Sequence, residues 1–366
     1  MDSSFCAKAT GLGGAFCLCC PVSKEDAMKP EVVRHGFSMS RTLESTRAHY
    51  YKLLAAGRID PTGTKHKANS KERTGITKEP ILQYKDPLHH IFPLHCYLHG
   101  LDWFEEFIVT NNSRKEWPND TPFRRAGVAQ TKAQKDALKL NRDVMRTMAK
   151  DPDGLARTLD PADRTGAQGN TDNGPVARYF LSEEARPHVV NLFDYDEGDT
   201  DTPVLIADLH QRFSVILRIM NCTSTIKVAE FRQYCIETNL MMVEETKIKW
   251  MAPANTIHRF IGHAWEAIML NGCKGLGQLS EGAIEGAHQT VKYSQKNLSS
   301  KHEKTQMFID IFTHAYFVQA PSVRRFEPEK RQIPRKAGVS DCSDDDKLFA
   351  SFLVSEDEDY IQTMQF

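Results

Sequence analysis

Two pairs of metal-binding side chains stand out by type and spacing. Cys17 and Cys20 form a C-x-x-C pair within Cys17-Leu-Cys-Cys20, a separation at which two thiolates bind one Zn2+ at roughly 2.3 Å each. That supplies half of a tetrahedral site. His258 and His263 form an H-x4-H pair, within the range found at Cys2His2 sites, and could supply the other half. Five residues advance an ideal helix by about 500°, which points the two imidazoles roughly 140° apart. A helix carrying them is therefore expected to start, end or bend between them, and Asn255 and Thr256 are candidate caps for a helix starting there. Core cysteines and a capping histidine are the plainer reading of the same four residues. Cys19 could replace either thiolate, although adjacent thiolates rarely share one ion comfortably.

A second constellation lies in Gly277-Gln-Leu-Ser-Glu-Gly-Ala-Ile-Glu-Gly-Ala-His288. Ser280 can cap a helix on which Glu281 and Glu285 stand four apart on one face. Like charges at that spacing repel slightly, unless a cation compensates. A divalent ion polarising phosphodiester oxygens is one such cation; a solvated helix face is the alternative. Lys292, Lys296, Lys301 and Lys304 follow, with Tyr293, His288 and His302 nearby. A basic face placed there could hold a DNA backbone, or simply face water. His89, His90, His95, His99 and Asp102 offer further donors. The apolar residues around His95 and His99 favour a packing helix over a metal site.

The elements that must position these groups are mostly helical. Apolar spacing near 3.6 predicts a buried helix over Leu94–Val109. Further helices are expected at Ser38–Leu54, Ala129–Met148, Ser182–Asn191, Val204–Ile219, Lys227–Met242, Ala254–Met269, Ser280–Ser300 and Thr305–Phe317. No convincing strand alternation and no internal repeat is present. The organisation read from these patterns is a cysteine-pair segment and helix over 1–54, a linker over 55–79 and a helical insert over 80–253. A histidine-pair segment with its following helix spans 254–320, and a basic-then-acidic tail over 321–366 is expected to be disordered apart from the apolar patch Leu348–Val354.

Composition excludes some classes of protein. At 366 residues with 40% apolar residues, the chain can bury a substantial core. Nine cysteines at this length do not make a disulfide scaffold, and reduced, intracellular thiols are the expectation. No apolar stretch is long enough to suggest a membrane span, so no membrane partner is expected. Lys+Arg 47 against Asp+Glu 48 gives a net charge of −1; any binding of nucleic acid would have to come from local basic patches.

In order and identity, these segments resemble the catalytic subunit of the V(D)J recombinase and its relatives, the Transib transposases. Cys17–Cys20 with Lys24–Tyr51, including Arg34-His-Gly-Phe-Ser-Met-Ser-Arg41, is similar to that family's cysteine-pair segment. Leu94-His-Cys96 with Phe104 and Phe107, and Asn173-Gly-Pro-Val-Ala-Arg178, are similar to two further segments. His258 and His263 match the histidine pair, and Ser280-Glu-Gly with Glu285 and Lys292 the terminal catalytic helix. The resemblance covers roughly residues 17–320. It implies a structural Zn2+ on Cys17, Cys20, His258 and His263. It also implies Mg2+ or Mn2+ at a catalytic Glu285 (or Glu281, if counted from Ser-Glu-Gly), and DNA as substrate. A homodimer or second recombinase subunit as partner and a nuclear location follow from the same resemblance. The implied fold is a zinc-tied helical domain plus the last helix of an incomplete RNase H-like core. The family's two catalytic aspartates precede the cysteine pair, and here Asp2 is the only acid before Cys17. Expected, therefore, is a truncated gene product or a domesticated remnant without nuclease chemistry of its own. The alternative is a non-catalytic, zinc-stabilised module that binds DNA or protein.

Overall fold

The computed structural model describes residues 12, 17, 19–23, 26–60, 66–69, 72–80, 91, 93–112, 132, 136, 174–193, 199–245, 255–279, 306, 310 and 343–354. The chain divides into two compact units, Met1–Gln278 with Asp344–Phe366, and Leu279–Ser343. In the second unit, Gln306 donates its amide to Asp310 at 2.8 Å. The expected catalytic-type helix, with Glu281, Glu285, Lys292, Lys296, Lys301 and Lys304, lies outside the described residues.

The first unit is mostly helical, as the periodicity predicts. Its helices are α1 (Pro30–His35), α2 (Leu43–Ala55), α3 (Pro93–Asn112), α4 (Gly174–Phe180), α5 (Arg186–Asn191), α6 (Asp201–Asn221), α7 (Val228–Leu240), α8 (Asn255–Leu270) and α9 (Asp344–Ser351). A π-helical turn, Met241–Glu245, extends α7. Among the described residues, β pairing is confined to the isolated bridges Leu12 with Ile76, Thr225 with Lys274 and Ile226 with Leu353.

Helix α6 is central because its apolar residues are not confined to one stripe. Beside the stripe of Ile206, Leu209, Phe213, Ile216 and Met220, the off-stripe Val215 and Ile219 are also fully buried, as in a helix enclosed by partners. Phe213 is the meeting point. Trp103 of α3 stacks on it at 5.3 Å between ring centroids, and Phe104 meets it edge-on at 5.2 Å. Phe260 of α8 closes the other side, at 5.2 Å and 88°. Edge-to-face aromatic pairs at these separations add stabilisation beyond the area they bury.

Three parts of the chain depart from what the pattern suggests. The stretch read as a linker folds back in its described parts: Ile59 and Ile76 pack with Leu12, Tyr50 and Leu53 of α2. Helix α2 begins at Leu43 rather than Ser38, because Thr42 and Ser45 form a capping box there. In the tail, helix α9 starts at Asp344, ahead of the apolar patch. Asp345 is fully buried and accepts hydrogen bonds from Arg186 and, at 2.7 Å, from Gln211. Asp346 pairs with Arg218 at 2.6 Å. An acidic run that looks solvated in the sequence thus docks on the basic side chains of α5 and α6.

His210 of α6 is fully buried and donates Nε2–H to the Phe180 carbonyl at 2.7 Å. Burial pushes its pKa down to about 4, against the contrary pull of that carbonyl. The folded protein therefore keeps His210 neutral at pH values where the unfolded chain protonates it. Its contribution is intact above the unfolded value of about 6.5 and declines as pH falls from there toward about 4. We expect about 1.3 kcal/mol less stability at pH 5.5 than at pH 7.5 from this group. Urea unfolding in excess zinc should show that decline in the wild type and a smaller one in His210→Gln, which keeps the donor but cannot titrate. Equal declines would exclude His210 as the cause.

Candidate metal centre

The two donor pairs come together. One sulfur or ring nitrogen from each of Cys17, Cys20, His258 and His263 lies within 4.8 Å of every other, and all four residues are buried. Cys20 Sγ is 3.3 Å from His258 Nε2, and the two imidazoles stand perpendicular, with centroids 5.1 Å apart. Tetrahedral Zn2+ bonded to two sulfurs and two nitrogens holds its donors about 3.3–3.8 Å apart. Small side-chain rotations bring this set into that range.

The strongest sign of fit is an electrostatic deficit. His263 is fully buried, and neither of its ring nitrogens makes a hydrogen bond. An unsatisfied polar group in a dry interior is costly. A metal bond to one nitrogen removes that cost, and a two-thiol, two-imidazole set is the donor chemistry of structural zinc. These four residues can hold a metal ion such as zinc.

Protonation in the metal-free cluster is mutual. Burial alone would raise the Cys17 thiol, but the polar groups around it, Cys19 and Cys20 foremost, outweigh burial and hold it well below the usual thiol range. Cys20 is pushed up by Cys17 first and by burial second. Burial would lower His263, yet the Cys17 sulfur and the Glu266 carboxylate bring it up to about 9. An entering Zn2+ displaces the protons that the ligands share.

Local structure explains how such distant residues meet. The cysteine segment is held from outside by Arg41, whose Nε and Nη2 both donate to the Cys20 carbonyl at 3.2 Å. The Arg41 backbone N–H donates to the Cys19 carbonyl at 3.0 Å, and the Cys19 N–H donates to Cys17 Sγ at 3.3 Å. The histidines both sit on α8, which runs unbroken from Asn255 to Leu270. The helix neither starts nor ends between them, two of the three ways expected for the rings to meet. Gly262 is the reason they still meet. A Cβ there would lie 2.9 Å from Phe37 Cδ2, and 3.4 and 3.5 Å from the His258 ring. With no side chain at 262, the His258 ring can lie back over that position toward His263.

Cys19 is buried beside the cluster but is not one of its four donors. Elsewhere, the rings of His95 and His99 stack at 6.3 Å, and His99 Nδ1 is 3.4 Å from Asp102; these residues do not belong to the metal-holding group. Sequence reasoning missed Gly262, Arg41 and Glu266. A glycine inside an apolar helix is the signal that could have revealed the first. No family model matches the chain, and no curated protein matches it.

Metal analysis of purified protein should find one zinc per chain in the wild type and none in Cys17→Ser or His263→Ala. Gly262→Ala raises helix propensity yet crowds Phe37 and His258, an overpacking cost of about 1–3 kcal/mol. Zinc affinity should therefore fall about tenfold or more, and unchanged affinity would show that the ring does not need that space.

Proposed function

We propose that this chain is a fragment or domesticated remnant of a DNA recombinase-transposase of the V(D)J and Transib kind. In this reading, a structural zinc ion fastens the cysteine segment to the histidine helix, immediately before the segment that carries the family's terminal glutamate. The observation that supports it is the convergence of Cys17 and Cys20 with His258 and His263, residues more than two hundred positions apart in the chain. Chance thiol and imidazole pairs have no reason to meet in one buried cluster at that separation.

The assignment of work among residues follows. Cys17, Cys20, His258 and His263 fix the fold. Lys292, Lys296, Lys301 and Lys304 bind the DNA backbone. Glu285, or Glu281 in its place, is the carboxylate the family uses toward Mg2+ or Mn2+, which supplies charge stabilisation at a phosphodiester when bound. That chemistry in an RNase H-like core needs two further carboxylates, and Asp2 is the only acid before Cys17. A second reading is a zinc-stabilised module that binds DNA or protein without cutting. DNA as partner, with a second copy or another recombinase subunit, makes the nucleus the place of action.

With duplex DNA and Mg2+ or Mn2+, the chain as given should bind and not cleave. Mobility shifts should weaken as salt rises, and alanine at Lys292, Lys296, Lys301 and Lys304 together should weaken binding about tenfold or more and flatten the salt dependence. Cleavage abolished by Glu285→Gln would show that the chemistry is present after all. Absence of any DNA binding at low salt would leave the protein-binding module as the reading.

A further inference from the structure

The geometry points to Glu266 as a positioning residue of the metal centre, one whose carboxylate faces Nδ1 of His263, turns Nε2 of that ring toward the metal and ties it to the backbone at Met39. The inference rests on the zinc reading above and adds to it the device that sets the ligand's tautomer.

A histidine that binds metal through one nitrogen ordinarily donates the other N–H to a carboxylate or carbonyl, which fixes the ring's orientation. His263 makes no hydrogen bond through either nitrogen. The carboxylate facing it is Glu266, one turn on along α8, with Oε2 at 3.7 Å from Nδ1. A small rotation of the ring closes that distance to a hydrogen bond. Glu266 does not belong to the donor group itself, and Oε2 is already engaged, accepting the Met39 N–H at 2.6 Å. Its side chain is only 12% exposed, so the carboxylate acts where water competes little.

Met39 belongs to a segment built to touch this site. Between α1 and α2, Phe37, Met39 and Arg41 are buried, while Ser38 and Ser40 are exposed, the two-residue alternation of an extended chain. Each buried member reaches the cluster differently. Phe37 packs edge-on to the His258 ring at 4.4 Å and lies 6.1 Å from that of His263. Met39 holds Glu266, and Arg41 holds the carbonyls of Cys19 and Cys20. The segment is thus a strap laid across both halves of the site, and Glu266 is its connection to the ligand His263.

The test uses the full chain, with Zn2+ as the probe, and measures affinity by competition with a chromophoric chelator. Glu266→Ala should weaken Zn2+ binding about 10–100-fold, as loss of such a partner typically does. Glu266→Gln keeps an oxygen that can accept from both Nδ1–H and Met39 N–H, and should recover most of that loss. In zinc-loaded protein, 15N-histidine spectra should show His263 bound through Nε2 with a slowly exchanging Nδ1 proton, lost in the alanine variant. Urea unfolding should separate Glu266→Ala from wild type more with zinc present than without. Wild-type affinity in Glu266→Ala would overturn the inference and leave the zinc site standing. Equal loss in both variants, or equal destabilisation with and without zinc, would also overturn it, assigning Glu266 to folding alone. If the wild type binds no zinc, the site and this role for Glu266 fall together.

Discussion

One cluster of two thiols and two imidazoles joins parts of the chain 238 residues apart, measured from Cys20 to His258. A covalent cross-link over that span would remove on the order of 5 kcal/mol of conformational freedom from the unfolded chain. That is comparable to the whole stability of a small domain. A metal ion held by these four residues would close the same loop. Cys17, Cys19 and Cys20 are buried in the main core, and Arg41 holds the carbonyls of the last two.

Helix α8 carries two duties on two sides. Ile257, Phe260, Ala264 and Ile268 are fully buried toward the aromatic core that centres on Phe213. His258 and His263 take the other side, with Gly262 and Glu266 beside them, and supply half of the cluster that can hold a metal ion. The placement of the ligands is inherited from the packing of α8 against α6 and α3. A ligand on a loop would have to be ordered at the moment of binding, whereas these two are held on a helix whose opposite face is already locked.

Helical regions with apolar spacing were legible. The expected Leu94–Val109, Val204–Ile219 and Ala254–Met269 correspond to Pro93–Asn112, Asp201–Asn221 and Asn255–Leu270, because burial of one face writes itself into the sequence at a period near 3.6. The four donors were legible by type and by the spacing within each pair. What helix geometry alone misjudged was how they meet. It treats a side chain as a fixed spoke, while an imidazole over a glycine can lean far from its own direction. Ser38–Arg41 of the strap reads as the start of a helix, since Gly36 at φ +75° and the Thr42 cap set its limits through local chemistry rather than periodicity. Arg41 and Asp345 look like surface charges in any list of residues, and only the carbonyls and guanidinium that meet them in space make them interior groups.

The return of the chain at its C-terminal end has a consequence of its own. Thr225 bridges to Lys274, and its neighbour Ile226 bridges to Leu353. The stretch leaving α8 and the stretch arriving after Ser343 are therefore fastened to the same two residues. Close backbone approach locks the departing side: a Cβ at Gly277 would meet the Asn221 carbonyl at 2.2 Å. Phe352, packed beside Phe231 and Tyr234, secures the arriving side. The two stretches of the first unit that end at Gln278 and begin at Asp344 are thus pinned side by side at the head of α7. Thr225 and Ile226 thereby join the end of α8 and the C-terminal return to the start of α7, the helix that packs directly against α8.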